Sequence, residues 1–241
     1  MKKIKTYFTN LPKGVKTIFG INIIVYIISC ISLFIFSFDI NSYLGFYPTD
    51  SGNFLIYQIA TFMFTHSYDP IHITINLILI LFFSVSFEMR FGTKNYYLMY
   101  VLSSLSCILF FNTLKNQELD FCKTQLIGKH IDIFSINYDD RFEYPKEERI
   151  LIERCYESGS YGVGASGALF GFVGSFLLFN LKPTRKIKTI SLIIVGIYLI
   201  YTCLIVFFPY DYQLSGGSIG HIGGFLTGLI FSFFLKIKKE V

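Results

Sequence analysis

Cutting this chain at its charged residues leaves six uncharged stretches, at 17–38, 70–87, 95–114, 158–181, 189–210 and 212–235. Each is close to the roughly 20 mainly apolar residues that a helix needs to cross the ~30 Å hydrocarbon core of a bilayer. In a sequence that is 53% hydrophobic and 15% charged, the pattern excludes an ordinary soluble domain. It predicts an all-α fold, a polytopic membrane helical bundle of six transmembrane helices. A seventh apolar segment, 51–68, mixes its Phe and Ile residues with Ser51, Asn53, Gln58, Thr61, Thr65 and His66, and is read as interfacial or re-entrant. The first stretch follows a lysine-rich start, but it is too long for a signal-peptide core and lacks a small-residue cleavage site, so it is read as an uncleaved anchor.

Positive charge assigns an orientation, because Lys and Arg gather in the short loops on the cytoplasmic side. Lys2, Lys3, Lys5, Lys13 and Lys16 precede span one, and Arg90 and Lys94 lie between spans two and three. Lys182, Arg185, Lys186 and Lys188 separate spans four and five, and Lys236, Lys238 and Lys239 follow span six. All four groups fall on one side, while Asp39, Asp50, Asp69 and Asp211 fall on the other. Both termini are therefore expected in the cytoplasm. The net charge of +5 is then mostly topology, and no nucleic-acid partner is implied. Usage rich in Lys, Ile and Phe points to a low-GC bacterium and hence to its cytoplasmic membrane.

One insertion interrupts the alternation of spans. Residues 115–157 hold 17 of the 37 charged residues, 7 basic and 10 acidic, and should face outward. Phe121, Leu126, Ile127, Ile131, Ile133, Phe134 and Ile136 could anchor a small cap or interfacial helix there; an irregular tethered loop is the alternative. Cys122 and Cys155 both fall in this insertion, where they can pair if the compartment is oxidising. Cys30, Cys107 and Cys203 lie within spans and read as small packing residues.

Polar residues inside spans are functional candidates, since lipid offers them no partner. Span two carries His72 and Asn76, four residues apart on one helical face. Span four opens with Gly-Val-Gly-Ala-Ser-Gly, placing Ser166 at a glycine-rich helix start, and span six places His221 in a similar setting. Spans two, four and six run in the same direction, so His72, Ser166 and His221 fall at a common depth, two to three turns from the outward end at ~1.5 Å per residue. Gly167, Gly171 and Gly174 on span four, and Gly217, Gly224 and Gly228 with His221 on span six, form small-residue stripes that let helices approach closely. His66 and His130 are read as solvent-side residues.

These motifs resemble those of the rhomboid family of intramembrane serine proteases over nearly the whole chain outside 115–157. Gly164, Ala165, Ser166, Gly167 and Gly171 match the family's nucleophile motif. His221, Gly224 and Gly228 match its base motif, and His72 with Asn76, followed by Glu88 and Gly92, match span two. The resemblance implies one rhomboid-like membrane domain over 1–241, with 115–157 as an insertion. It implies a serine endopeptidase in which Ser166 attacks and His221 takes its proton, with Phe170 packed against the histidine ring. The oxyanion would be held by Ser166, His72 and Asn76, with Gly164 in the same pocket, while Gly167, Gly171, Gly224 and Gly228 serve close helix packing. Substrates would be single-pass membrane proteins entering from the bilayer between spans two and five. No metal and no cofactor are implied. Two departures stand out: the family often carries a Trp-Arg pair in the first outward loop, whereas this chain has no Trp, and the insertion before the serine is unusual.

Other classes fit less well. An α/β-hydrolase elbow needs Gly-x-Ser-x-Gly after a strand, but Ala168 stands where the last glycine would be. A transporter using His72, Asn76 and His221 predicts inverted repeats and paired broken helices, which are not evident. The alternative within the family is a catalytically silent protein that binds transmembrane helices, which would normally have lost the serine or the histidine.

Overall fold

A computed structural model describes residues 11–131, 138–179 and 216–240. Among them the chain is helical, with one isolated backbone pairing between Phe46 and Gly162 in place of a sheet. The principal helices are α1 (Lys13–Phe36), α2 (Pro70–Leu79), α3 (Val85–Gly128), α4 (Lys146–Ser158), α5 (Ser166–Phe179) and α6 (Gly216–Glu240). A π-helical turn, Ile80–Ser84, joins α2 to α3. Within α3 the backbone breaks at Gly92 (φ 81°, ψ 164°), a conformation open to glycine, so that Val85–Gly128 comprises two helical segments meeting across a kink.

Two stretches, Lys13–Phe36 and Pro70–Gly128, are long and apolar enough to cross a bilayer, and Ser166–Leu178 and Ile219–Leu235 are shorter apolar helices. Of the six expected spans, the fifth lies outside the described residues. Span four begins later than charge alone suggested, because Ser158 ends α4, 159–165 is a non-helical lead-in and the helix starts at Ser166. The helix of span three runs on past 114 into the insertion, because Lys115 interrupts apolarity without interrupting the helix. Segment 51–68 forms only a single helical turn, Gln58–Thr61, flanked by 3₁₀ turns.

The surface is that of a protein turned toward an apolar medium. On α1, Ile24, Ile27, Ile28, Phe34, Ile35 and Phe36 are exposed, while Asn22, Ser29 and Ser32 face inward. Their donors are tied down: Asn22 Nδ2 donates to the Ile18 carbonyl (2.7 Å), Ser29 Oγ to Asn41 Oδ1 (3.0 Å), and Ser32 Oγ to the Phe38 carbonyl (2.6 Å). The core between helices is aromatic, built on Phe83, Phe87, Tyr96, Tyr100, Phe172 and Phe176. Buried Glu88 takes the first amides of α1, from Gly14 and Val15, both at 2.7 Å, and the Thr93 hydroxyl at 2.6 Å. A carboxylate there satisfies orphan N–H groups and complements the positive end of the helix.

The insertion is a second small folded unit. α3 continues through it to Gly128, and α4 packs back against α3 around Leu119, Leu126 and Ile152, with Cys122 and Cys155 joined in a disulfide. Glu118 accepts from Lys115 Nζ (3.4 Å) and Ser158 Oγ (3.2 Å) at its base. Of the residues expected to anchor a cap, Leu126 is buried and Ile131 packs at the edge, but Phe121 and Ile127 are exposed. Residues 133, 134 and 136 lie outside the described residues.

Candidate active site

Three helices converge on Ser166 and His221 because glycine removes the side chains that would hold them apart. A Cβ on Gly224 would land on the Gly167 carbonyl oxygen, and one on Gly228 on the Gly171 carbonyl oxygen, so α5 and α6 pack backbone to backbone. α3 closes the third side. Cys107 Sγ occupies the space beside both Gly167 and Gly220, next to the serine and the histidine respectively, and Ser103 fills the space at Gly171. Ser106 Oγ donates to the Gly223 carbonyl at 3.0 Å.

At the outer end of this contact, His221 Nε2 lies 2.6 Å from Ser166 Oγ. The Phe170 ring, one turn along α5, stacks on the imidazole with centroids 4.4 Å apart and planes 13° apart. A stacked aromatic fixes the ring plane without needing a carboxylate. Ser166 is the first residue of α5, so its N–H has no intrahelical acceptor and sits at the positive end of the helix.

His72 approaches from α2. Its Nδ1 accepts from the Ser67 N–H (3.2 Å), with the Ser67 hydroxyl at 2.9 Å. A backbone N–H can only donate, so in the neutral imidazole the proton resides on Nε2. Gly164, at φ 126°, leaves open the space between this nitrogen and the serine: a Cβ there would lie 3.4 Å from His72 Nε2 and 3.4 Å from Ser166 Oγ. The Gly164 N–H itself donates to the Phe62 carbonyl at 3.2 Å. Its contribution to the pocket is therefore the missing side chain. Asn76 is buried one turn further along α2, and its Nδ2 has no hydrogen-bond partner among the described residues.

His66 does not lie on the solvent side as expected. It is buried, its Nδ1 donates to the Phe64 carbonyl (3.2 Å), and its ring is 5.5 Å from that of His72. The segment containing it is drawn inward by Asn41, whose Nδ2 donates to the His66 carbonyl at 2.8 Å. Ser67 and His66 had no helical spacing to mark them, since both lie in irregular backbone before α2. His130 is exposed, at a positive φ of 62°.

The apolar helices, with a serine and a histidine in hydrogen-bond contact near His72 of a third helix, define a helical membrane-protein fold. The model of the Rhomboid domain matches residues 53–238, and the chain belongs to the rhomboid family, whose members are integral membrane proteins. It is 25% identical over 218 residues to Rhomboid-like protease 3 of Toxoplasma gondii, an alignment covering 86% of this chain and 63% of that protein. The chain thus spans less than two thirds of that relative's length.

Proposed function

We propose that this protein is an intramembrane serine endopeptidase that cleaves single-pass membrane proteins near the outward face of the bilayer, with Ser166 and His221 as its dyad. The observation that carries the reading is the 2.6 Å contact between Ser166 Oγ and His221 Nε2. In this mechanism the serine oxygen attacks the scissile carbonyl carbon as its proton passes to His221. The carbonyl oxygen becomes an oxyanion that the Ser166 N–H, His72 Nε2–H and the Asn76 amide would hold, a role supported by His72 Nε2 bordering the Gly164 space beside Ser166 Oγ and by the unpartnered Asn76 Nδ2. His221 then gives its proton to the leaving amine. Water, deprotonated by the same histidine, releases the acyl group and restores the serine.

The six-span bundle, with both termini in the cytoplasm, is part of the same reading. It is supported by the one-sided distribution of Lys and Arg and by the Cys122–Cys155 disulfide, since such bonds persist in oxidising compartments outside the cytoplasm. A bacterial cytoplasmic membrane fits this arrangement.

The test is covalent labelling of detergent-solubilised protein with a fluorophosphonate probe. Label on the wild type that is lost in Ser166→Ala and in His221→Ala is the expected result. Absence of label on folded wild type would instead favour a silent helix-binding relative.

A further inference from the structure

Outside the membrane-level site, one carboxylate touches both walls of the pocket. Asp39 follows the end of α1 and is held there firmly. The Phe38 N–H donates to the Ser32 carbonyl (3.0 Å), the Ser32 hydroxyl returns to the Phe38 carbonyl (2.6 Å), and the Ser42 hydroxyl donates to the Asp39 carbonyl (2.6 Å). From this position its two oxygens diverge. Oδ1 accepts from the Tyr68 hydroxyl and from the Asn41 N–H (3.0 Å); Oδ2 accepts from the Tyr161 hydroxyl at 3.0 Å.

The two tyrosines belong to different halves of the pocket. Tyr68 is the neighbour of Ser67, whose N–H and hydroxyl set the proton position on His72. Tyr161 stands in the lead-in to α5, where Gly162 pairs with Phe46 and Gly164 is tied to Phe62 three residues later. Its ring lies over Gly45, where no Cβ would fit. Burial, reinforced by the Asp39 carboxylate, holds both phenols well above the ordinary tyrosine range, so both remain donors. Hydrogen bonds to an ionised acceptor are shorter and stronger than neutral ones.

We infer that Asp39 is a positioning residue for the oxyanion pocket: through Tyr68 and Tyr161 it fixes the separation between the wall carrying His72 and the wall carrying Gly164 and Ser166. The inference rests on the serine-protease reading and adds to it a residue more than twenty positions from any of its motifs. Asp39 touches no reacting atom. It works by holding two irregular segments at one distance, and misplacement of donors by a fraction of an ångström is costly to a transition state.

The experiment is inactivation of the full-length protein in detergent by a fluorophosphonate, resolving the maximal rate from the half-saturating concentration. The set comprises wild type, Asp39→Asn, the Tyr68→Phe/Tyr161→Phe pair and the triple variant. Asp39→Asn should lower the maximal rate about tenfold with the half-saturating concentration unchanged, and the triple variant should be no slower than the tyrosine pair. Where Asp39→Asn lowers the thermal midpoint, the tyrosine pair, which keeps the carboxylate, gives the same answer by the same split. Wild-type rates in Asp39→Asn, or effects that multiply in the triple variant, overturn the inference and leave the protease reading intact. A wild type that does not react removes both.

Discussion

Ser166 Oγ and His221 Nε2 are 2.6 Å apart although 55 residues separate them, and the approach depends on the absence of side chains at Gly224 and Gly228. The obstacle a new methyl would meet at either position is a backbone carbonyl, which cannot rotate away. Gly224→Ala and Gly228→Ala should each destabilise the bundle by about 2–3 kcal/mol and abolish fluorophosphonate labelling. Gly20→Ala is the control: nothing lies within 4 Å of a Cβ there, so thermal unfolding should show it unchanged or raised by up to about 1 kcal/mol.

Phe170 fixes the plane of His221 by stacking at 4.4 Å. Phe170→Leu keeps an apolar residue but removes the flat face. An aromatic pair contributes about 0.5–1.5 kcal/mol beyond its buried area, so the inactivation rate should fall about three- to tenfold while Ser166 still labels to completion. Phe170→Tyr should stay near the wild-type rate.

Asn76 offers a buried amide donor with no partner among the described residues, which is how a donor reserved for a transient oxyanion should look. Asn76→Ala should lower cleavage of a transmembrane substrate by up to about 10²-fold without eliminating it. The loss should appear in kcat, with KM little changed, because the oxyanion exists only after attack. An effect confined to KM would assign Asn76 to substrate binding.

The tyrosines on Asp39 predict the alkaline behaviour of the outer loops. Their folded pKa values are raised above the ordinary 10.0, by burial first and then by the carboxylate. A raised value means that their contribution to stability is complete below pH 10 and declines as the pH climbs from there toward the folded value. In Tyr68→Phe/Tyr161→Phe the stability curve should therefore fall less steeply above pH 10, measured by denaturant unfolding at a series of pH values.

What the sequence made legible follows from which constraints are local. His72 with Asn76, Ser166, and His221 with its glycines were readable because a polar residue within an apolar run has few structural explanations. The Gly224 and Gly228 contacts were readable because helical spacing turns sequence intervals into faces. Asp39, Ser67 and His66 were not, since their partners are fixed by irregular backbone between α1 and α2, where spacing implies no geometry. The lead-in 159–165 passed as membrane helix because hydropathy does not distinguish a helix from an irregular segment packed on another loop. The helical continuation past Lys115 was hidden for the converse reason: charge marks where lipid ends and says nothing about where a helix ends.

The insertion carries the last prediction. Its disulfide joins residues 33 apart, which in the chain-entropy view contributes about 3–4 kcal/mol. The cluster it secures, Leu119, Leu126 and Ile152 with the two cysteines, is separate from the aromatic core of the bundle. The lead-in to Ser166 has its own fastenings at Asp39, Phe46 and Phe62. Cys122→Ser/Cys155→Ser should therefore loosen the hairpin locally: limited proteolysis should cut between α3 and α4 much faster than in the wild type, while the rate of Ser166 labelling stays within about twofold, below the ~1.4 kcal/mol of a tenfold change. Deleting the hairpin should likewise spare serine reactivity and alter which membrane proteins are cleaved. Loss of labelling in the cysteine variant would show instead that α4 holds the lead-in in place, and that the pocket depends on the hairpin as much as on Asp39.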